Sequence, residues 1–200
     1  MLEVSENMIL NGIEASEFNQ AIKESVNLGK ISYMDEFITH FSAYCYKQDA
    51  EKDFPPEVFE AIIDEMKRHE FHRLPDSSTL LQLFEHEWSR FSNSQKEMLP
   101  AVIGEAFLSR YEDKLSYFVL AEILGEYVAN GKALETFETL RDTDNETAKA
   151  FLTYGLGKLA QHADSEKVKK NALGKLRILE KDDSASVRQE AVQALSRLHT

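Results

Sequence analysis

The stretch Asp183-Ser184-Ala185-Ser186-Val187-Arg188-Gln189-Glu190-Ala191-Val192-Gln193-Ala194-Leu195-Ser196-Arg197-Leu198 decides the fold class. Val187, Ala191, Ala194, Leu195 and Leu198 recur at spacings of three and four, which places them on one face of an α-helix. Ala191 and Ala194 are small enough to let a neighbouring helix come close, while Leu195 and Leu198 fill the space between layers. Asp183 stands at the helix start, where a negative charge meets the positive end of the helix dipole.

The same pattern recurs upstream. Thr143 and Glu146 fit a capping box, followed by Ala148, Lys149, Leu152, Gly155, Leu156 and Leu159. Earlier, Tyr117, Ala121, Leu124 and Val128 follow Asp113 with the same period. Tyr117, Ala148 and Val187 correspond, as do Ala121, Leu152 and Ala191, and then Val128, Leu159 and Leu198. The offsets are 31 and 39 residues, which suits a repeated helix pair. Each pair begins with a further helix. Ser94 with Glu97 reads as the cap of one, and Leu99-Pro100, Val102, Ile103, Ala106 and Phe107 as its body. The helix over Lys132 to Leu140 is short. The units span 94–130, 131–163 and 164–200.

The run Asp183-x-x-x-Val187-Arg188-x-x-Ala191-x-x-Ala194-Leu195-x-x-Leu198 resembles the second helix of a HEAT/armadillo-like repeat, and Leu99-Pro100 with its apolar followers is similar to a first helix. The resemblance covers residues 94–200 and is closest in the last unit. The first unit departs from it: Tyr117-Phe118 stands where Val-Arg is expected, and Gly125 where a leucine belongs. The resemblance implies an all-α chain, an irregular HEAT-like solenoid or α-α superhelix of nine or ten helices. Each hairpin buries only part of its apolar surface alone, so such units must stack.

Residues 1–93 carry helical periodicity without the repeat. Apolar residues recur over 18–28, over 37–45, and at Val58, Phe59, Ile62, Ile63 and Met66 after Pro55-Pro56. A fourth run holds Leu80, Leu81, Leu83, Phe84 and Trp88, with Asp76 or Ser77 as its cap. These read as two helical hairpins packed on the rest, in one structural domain. At 200 residues the chain is long enough to bury roughly two-thirds of its unfolded surface. Eight glycines and four prolines are too few for the many turns of an all-β fold.

Cys45 is the single cysteine, so no disulfide closes within the chain. The start, MLEVSENMILNG, has no basic leader region, and no run approaches the roughly 20 apolar residues of a membrane span. A cytoplasmic, bacterial-type protein is the expectation. The net charge of −12 is uneven: residues 1–140 hold 26 acids and 12 bases, residues 141–200 hold 9 acids and 11 bases. An acidic body repels nucleic acid and anionic membrane and steers a basic partner.

The chemical motifs are sparse. Glu65, His69 and His72 share a helical run, but His69-Glu70-Phe71-His72 lacks the spacing of a zinc protease, and the histidines read as structural or surface residues. Glu85-His86-Glu87 points adjacent residues about 100° apart and reads as a solvated cluster. Cys45, beside Tyr44 and Tyr46, reads as a small buried hydrophobe, with His40 on another face. Gly155-Leu156-Gly157-Lys158 has the wrong spacing for a phosphate loop, and Leu159 stands where a magnesium-binding hydroxyl belongs; its glycines read as packing residues. Lys167, Lys169, Lys170, Lys175, Arg177 and Lys181 are interleaved with Glu166, Glu180, Asp182 and Asp183 and read as a solvated helix face. No catalytic, cofactor-binding or metal-ligating set emerges, so neither an enzyme nor a cofactor is expected.

The candidate partner-binding residues are Asp49, Glu51, Asp53, Glu57, Glu60, Asp64, Glu85 and Glu87. On one helix Glu57, Glu60 and Asp64 lie opposite the Phe59, Ile62 and Met66 stripe. The expected function is a non-enzymatic protein-binding module that docks or neutralises a basic protein. Bacterial immunity proteins and antitoxins that block cationic nuclease toxins are similar in size and charge. Two alternatives stand beside it: a general HEAT-like scaffold or adaptor, and a HEAT-fold nucleic-acid repair enzyme.

Overall fold

A computed structural model describes residues 88–198 except 109–113 and 142, together with Phe54, Pro56, Phe59, Glu60, Ile63, Met66, Lys67, Leu81, Phe84, Glu85 and Glu87. All the regular structure among these residues is helical. The chain divides into two compact units, Met1–Gln95 and Lys96–Thr200. The expected helices over 18–28 and 37–45, and the residues Glu65, His69, His72, His86, Cys45, Asp49, Glu51, Asp53, Glu57 and Asp64, lie outside the described residues.

In the first unit, Phe59, Ile63 and Met66 are helical and buried, as are Leu81 and Phe84. Their spacing of three and four carries the apolar stripe read from the sequence. Phe91 joins them from a non-helical position. Its ring centroid lies 5.0 Å from Phe54, 5.3 Å from Phe59, 5.7 Å from Phe84 and 6.1 Å from Trp88. All four contacts are edge-to-face, the arrangement that aromatic quadrupoles favour. The Phe54 amide donates to the Arg90 carbonyl at 2.9 Å, which ties the chain before the cluster to the turn after it.

Six α-helices follow: α1 (Asn93–Phe107), α2 (Lys114–Glu122), α3 (Gly131–Thr139), α4 (Glu146–His162), α5 (Glu166–Leu179) and α6 (Ala185–Arg197). A π-helical segment, Ile123–Val128, continues α2 without a break. Helix α4 is the centre of the second unit. It packs on α2 with its π segment, on α3, on α5 and on α6, while α5 also meets α3 and α6. Side chains pair in rising order along α2 and α4, Phe118 with Tyr154 and then Glu126 with Lys158. Along α4 and α6, Glu146 meets Ser184 and Gly157 meets Ala194. So α2, α4 and α6 run side by side in the same direction.

The packing residues behave as their sizes demand. Tyr117, Ala148 and Val187 are buried, and so are Ala121, Leu152 and Ala191. Gly155 faces the Ala121 carbonyl oxygen, which would lie 2.9 Å from an added Cβ, and the Phe137 ring, at 2.7 Å. A Cβ on Gly157 would come within 2.8 Å of the Ala194 methyl. These two glycines are therefore crossing points of α4, inside a continuous helix and not in a phosphate-binding loop. Gly125, which departs from the repeat pattern, has the same cause: its Cβ would meet the Gly155 carbonyl oxygen at 2.3 Å. A leucine has no room where two backbones touch.

Two expected caps are corrected. Helix α1 begins with Ser92 and Gln95, not Ser94 and Glu97: Ser92 Oγ accepts the Gln95 amide at 3.2 Å, and Gln95 Oε1 accepts the Ser92 amide at 2.8 Å. That reciprocal pair is the capping box, two residues early. Helix α4 is capped by Asn145, which accepts the Ala148 amide at 3.1 Å; Thr143 instead accepts the Asn145 amide at 3.3 Å. Helix α6 is capped by Ser184, after Asp183.

Candidate functional site

The parallel helices α2, α4 and α6 share a groove of about 400 Å³. Helix α2 contributes Phe118, and α4 contributes Ala150, Phe151 and Tyr154. Helix α6 contributes Ser186, Gln189, Glu190, Gln193 and Arg197, whose spacings of three and four make one helical face. The adjoining face, Val187, Ala191 and Ala194, is in the core. Core burial of α6 therefore aims its polar face into the groove.

The groove floor is aromatic. The Phe118 and Tyr154 rings stack at 5.0 Å with 30° between their planes. Behind them Tyr117 stacks on Phe151 at 6.2 Å and 13°. Tyr117 is held from a second direction, because Asn145 Nδ2 donates to its hydroxyl at 2.7 Å. The cap of α4 thus also positions the floor of the groove.

A charged rail runs along one side. Tyr154 donates its hydroxyl to Glu122 Oε1 at 2.9 Å. Lys158 Nζ lies 2.6 Å from Glu126 Oε2 and 3.2 Å from Glu122 Oε1. Burial, with Glu122 accepting its proton, holds the Tyr154 phenol well above its ordinary range. Burial works against the Lys158 charge, but the hydrogen bonds it donates to Glu126 and Glu122 outweigh this and raise the ammonium above its ordinary value. Both groups keep their protons at neutral pH, so the rail clamps α2 and its π segment to α4.

Glu190 is different. One carboxylate oxygen, Oε1, is shielded from solvent and accepts no hydrogen bond. The cation beside it is Arg197, with Nη1 at 3.5 Å. Burial pushes the Glu190 carboxyl above its ordinary range, and Arg197 only partly opposes this. A shielded oxygen without a donor is costly, and the Glu190 side chain that carries it lines the groove.

At the far end, α4 and α6 are joined through acids. Ser184 and Ser186 both donate to Glu146 Oε1 and hold its carboxyl below the ordinary range. Asp182 Oδ2 takes Lys149 Nζ at 2.7 Å. Burial raises the Asp182 carboxyl, and the bonds from Lys149 and the Ser184 amide overcome it, so the net shift is downward.

Of the acids singled out in the sequence, Glu60 is exposed, Glu85 is partly exposed, and Glu87 is 3% exposed. Glu87 Oε2 accepts Arg90 Nη1 at 2.7 Å. It holds the Trp88–Arg90 turn and does not present its carboxylate to solvent. The basic residues Lys167, Lys170, Arg177 and Lys181 are exposed, while Lys175 pairs with Glu138 at 2.9 Å. Among the described residues no three His, Cys, Asp or Glu side chains converge as metal ligands do, and no helix is long and apolar enough to cross a membrane.

The groove residues were not legible as a site. Phe118 and Tyr154 lie 36 positions apart, and Glu190 comes from a third helix. The sole signal was Phe118 itself, an aromatic side chain where the repeat pattern wants arginine. No protein-family model, curated protein or solved structure matches the chain.

Proposed function

We propose that this chain is a non-enzymatic protein-binding module that engages a basic protein through the groove of α2, α4 and α6. The observation that carries the reading is Glu190: an under-satisfied carboxylate set beside a stacked aromatic floor, in a chain of net charge −12. A cationic side chain from a partner satisfies the acid and lies on the Tyr154 ring. The acids of the first half, Asp49, Glu51, Asp53, Glu57, Glu60, Asp64 and Glu85, supply the long-range field that draws such a partner in.

The scaffold in this proposal is an irregular HEAT-like solenoid of nine or ten helices. Contacts between alternate helices support it: Glu97 meets Lys132, Phe118 meets Tyr154, Glu138 meets Lys175 and Gly157 meets Ala194. Other contacts between the same helices lie from 28 to 40 residues apart, so the units stack irregularly. The concrete form of the function is an immunity protein or antitoxin, acting in the cytoplasm, that covers the cationic surface of a nuclease toxin. Cross-linking of the full chain to its co-purified partner tests it. Cross-links from α6 to Lys- and Arg-rich segments of a basic protein are expected. A set of acidic or neutral partners only, or cross-links that avoid α4 and α6, overturns it.

A further inference from the structure

The groove already contains one guanidinium. Arg197 Cζ lies 6.0 Å from the centroid of the Tyr154 ring, the distance at which a cation still feels the ring face. The same guanidinium approaches Glu190 Oε1 at 3.5 Å, well beyond the ~2.8 Å of a charge-assisted hydrogen bond. Arg197 is 54% exposed and also reaches Gln193 Oε1 at 3.4 Å. It is attached to α6 two turns after Glu190, and its guanidinium stops short of a hydrogen bond to Oε1. Tyr154 is stacked on Phe118 and bonded to Glu122, so it does not move to meet it.

We propose that the groove reads one arginine side chain of the partner, laid on the Tyr154 ring where Arg197 lies and paired with Glu190, and that Arg197 holds this place in the free protein and leaves when the partner arrives. The inference rests on the basic-partner reading above and narrows it to a residue type. Arginine fits better than lysine because a planar guanidinium stacks on a ring while its edge forks onto a carboxylate; an ammonium does one or the other. Gln189 and Gln193 flank Glu190 on the same face and offer amide oxygens for the remaining N–H groups. An anionic ligand fits poorly, because it would face Glu190, and Lys158 is already committed to Glu122 and Glu126. Removal of Arg197 should then help binding, an outcome opposite to that of deleting an ordinary contact residue.

The test titrates the isotope-labelled full chain with Nα-acetyl-arginine N-methylamide, and with its citrulline and lysine counterparts, and follows backbone amide shifts. The arginine probe is expected to move amides within 150–154 and 186–197, citrulline to move none, and lysine to bind several-fold more weakly. Arg197→Ala is expected to tighten the arginine probe several-fold. Glu190→Gln, which keeps the shape of the side chain, is expected to weaken it about tenfold. If Glu190→Gln fails to fold, the citrulline comparison on the unaltered chain decides the same point. An Arg197→Ala chain that binds no better than the unaltered one overturns the place-holding role. An arginine probe that moves no groove amide in either chain overturns the proposal, and the basic-partner reading survives that result if cross-links still fall on α6.

Discussion

Burial works against the charge of Glu190, and Arg197 offsets this only in part. Its folded carboxyl titrates above the ordinary value of 4.5, first because of burial, with Arg197 opposing. A group raised on folding contributes most below its unfolded value, and the contribution is lost as pH rises through the folded value. At pH 7 the carboxylate is therefore a net cost to the fold. Glu190→Gln is expected to melt at a higher temperature than the unaltered chain at pH 7. The gap should close as pH falls below about 4.5, where both states hold the proton. The lost ion pair does not reverse the sign, since Arg197 is half in water and such pairs are worth little. Melting followed by circular dichroism from pH 3 to pH 8, an interval spanning about five units around the titration, decides it: a gap independent of pH would mean that the charge is not the cause. Phe91 is the hub of the first aromatic cluster; it continues the three-and-four spacing of Leu81, Phe84 and Trp88 although its own backbone is not helical.

The helices were legible as elements, because stripes such as Val187, Ala191 and Ala194 leave only one face to bury. Their caps were not, and the reason is the same at both starts. Ser92-x-x-Gln95 and Ser94-x-x-Glu97 both satisfy the local pattern, but Gln95 Nε2 also donates to the Phe54 carbonyl at 3.2 Å. Thr143-x-x-Glu146 competes with Asn145, and Asn145 also donates to Tyr117. In each case the cap that reaches a distant partner wins, and a local motif carries no record of that partner. Asn145→Ala is accordingly expected to cost more than an ordinary cap, about 2 kcal/mol or above, against about 1 kcal/mol for a cap alone. Asn145→Ser keeps the cap without the reach to Tyr117 and should fall between the two in urea denaturation; a serine chain as unstable as the alanine one would place the whole effect in the tertiary bond. The π segment depends on a similar long-range fit. Gly125 lets the chain pass against Gly155, and the turn ends at Ala129, with φ of 42° and its amide bonded to the Leu124 carbonyl at 3.1 Å. Gly125→Ala must push two backbones apart and is expected to cost about 1–3 kcal/mol, with increased hydrogen exchange in both α2 and α4. Loss confined to α2 would show that the close crossing does not hold the pair.

Across the whole molecule, the side chains that join α2 to α4 and α4 to α6 lie from 28 to 40 positions apart, so the pairing of these helices rests on contacts that no local motif records. Surface chemistry was less accessible to reading. A groove made by Phe118, Tyr154 and Glu190 exists only once three helices stand in parallel, whereas a run of acids such as Asp49, Glu51 and Asp53 is visible as text. The two features act at different ranges, and this yields a kinetic prediction. The net charge of −12 acts over a Debye length, which shrinks from about 30 Å at 0.01 M salt to about 8 Å at 0.15 M. The groove contact acts at a few ångströms and is mostly shielded from salt. Between those two salt concentrations, association with a basic partner is expected to slow by about tenfold or more, while dissociation changes far less. Glu190→Gln should do the reverse, hastening dissociation and leaving the salt dependence of association unaltered. Stopped-flow mixing with the co-purified partner over a salt series separates the two rates. An association rate indifferent to salt would assign the acidity to solubility, and an unaltered dissociation rate in Glu190→Gln would remove the groove from the interface.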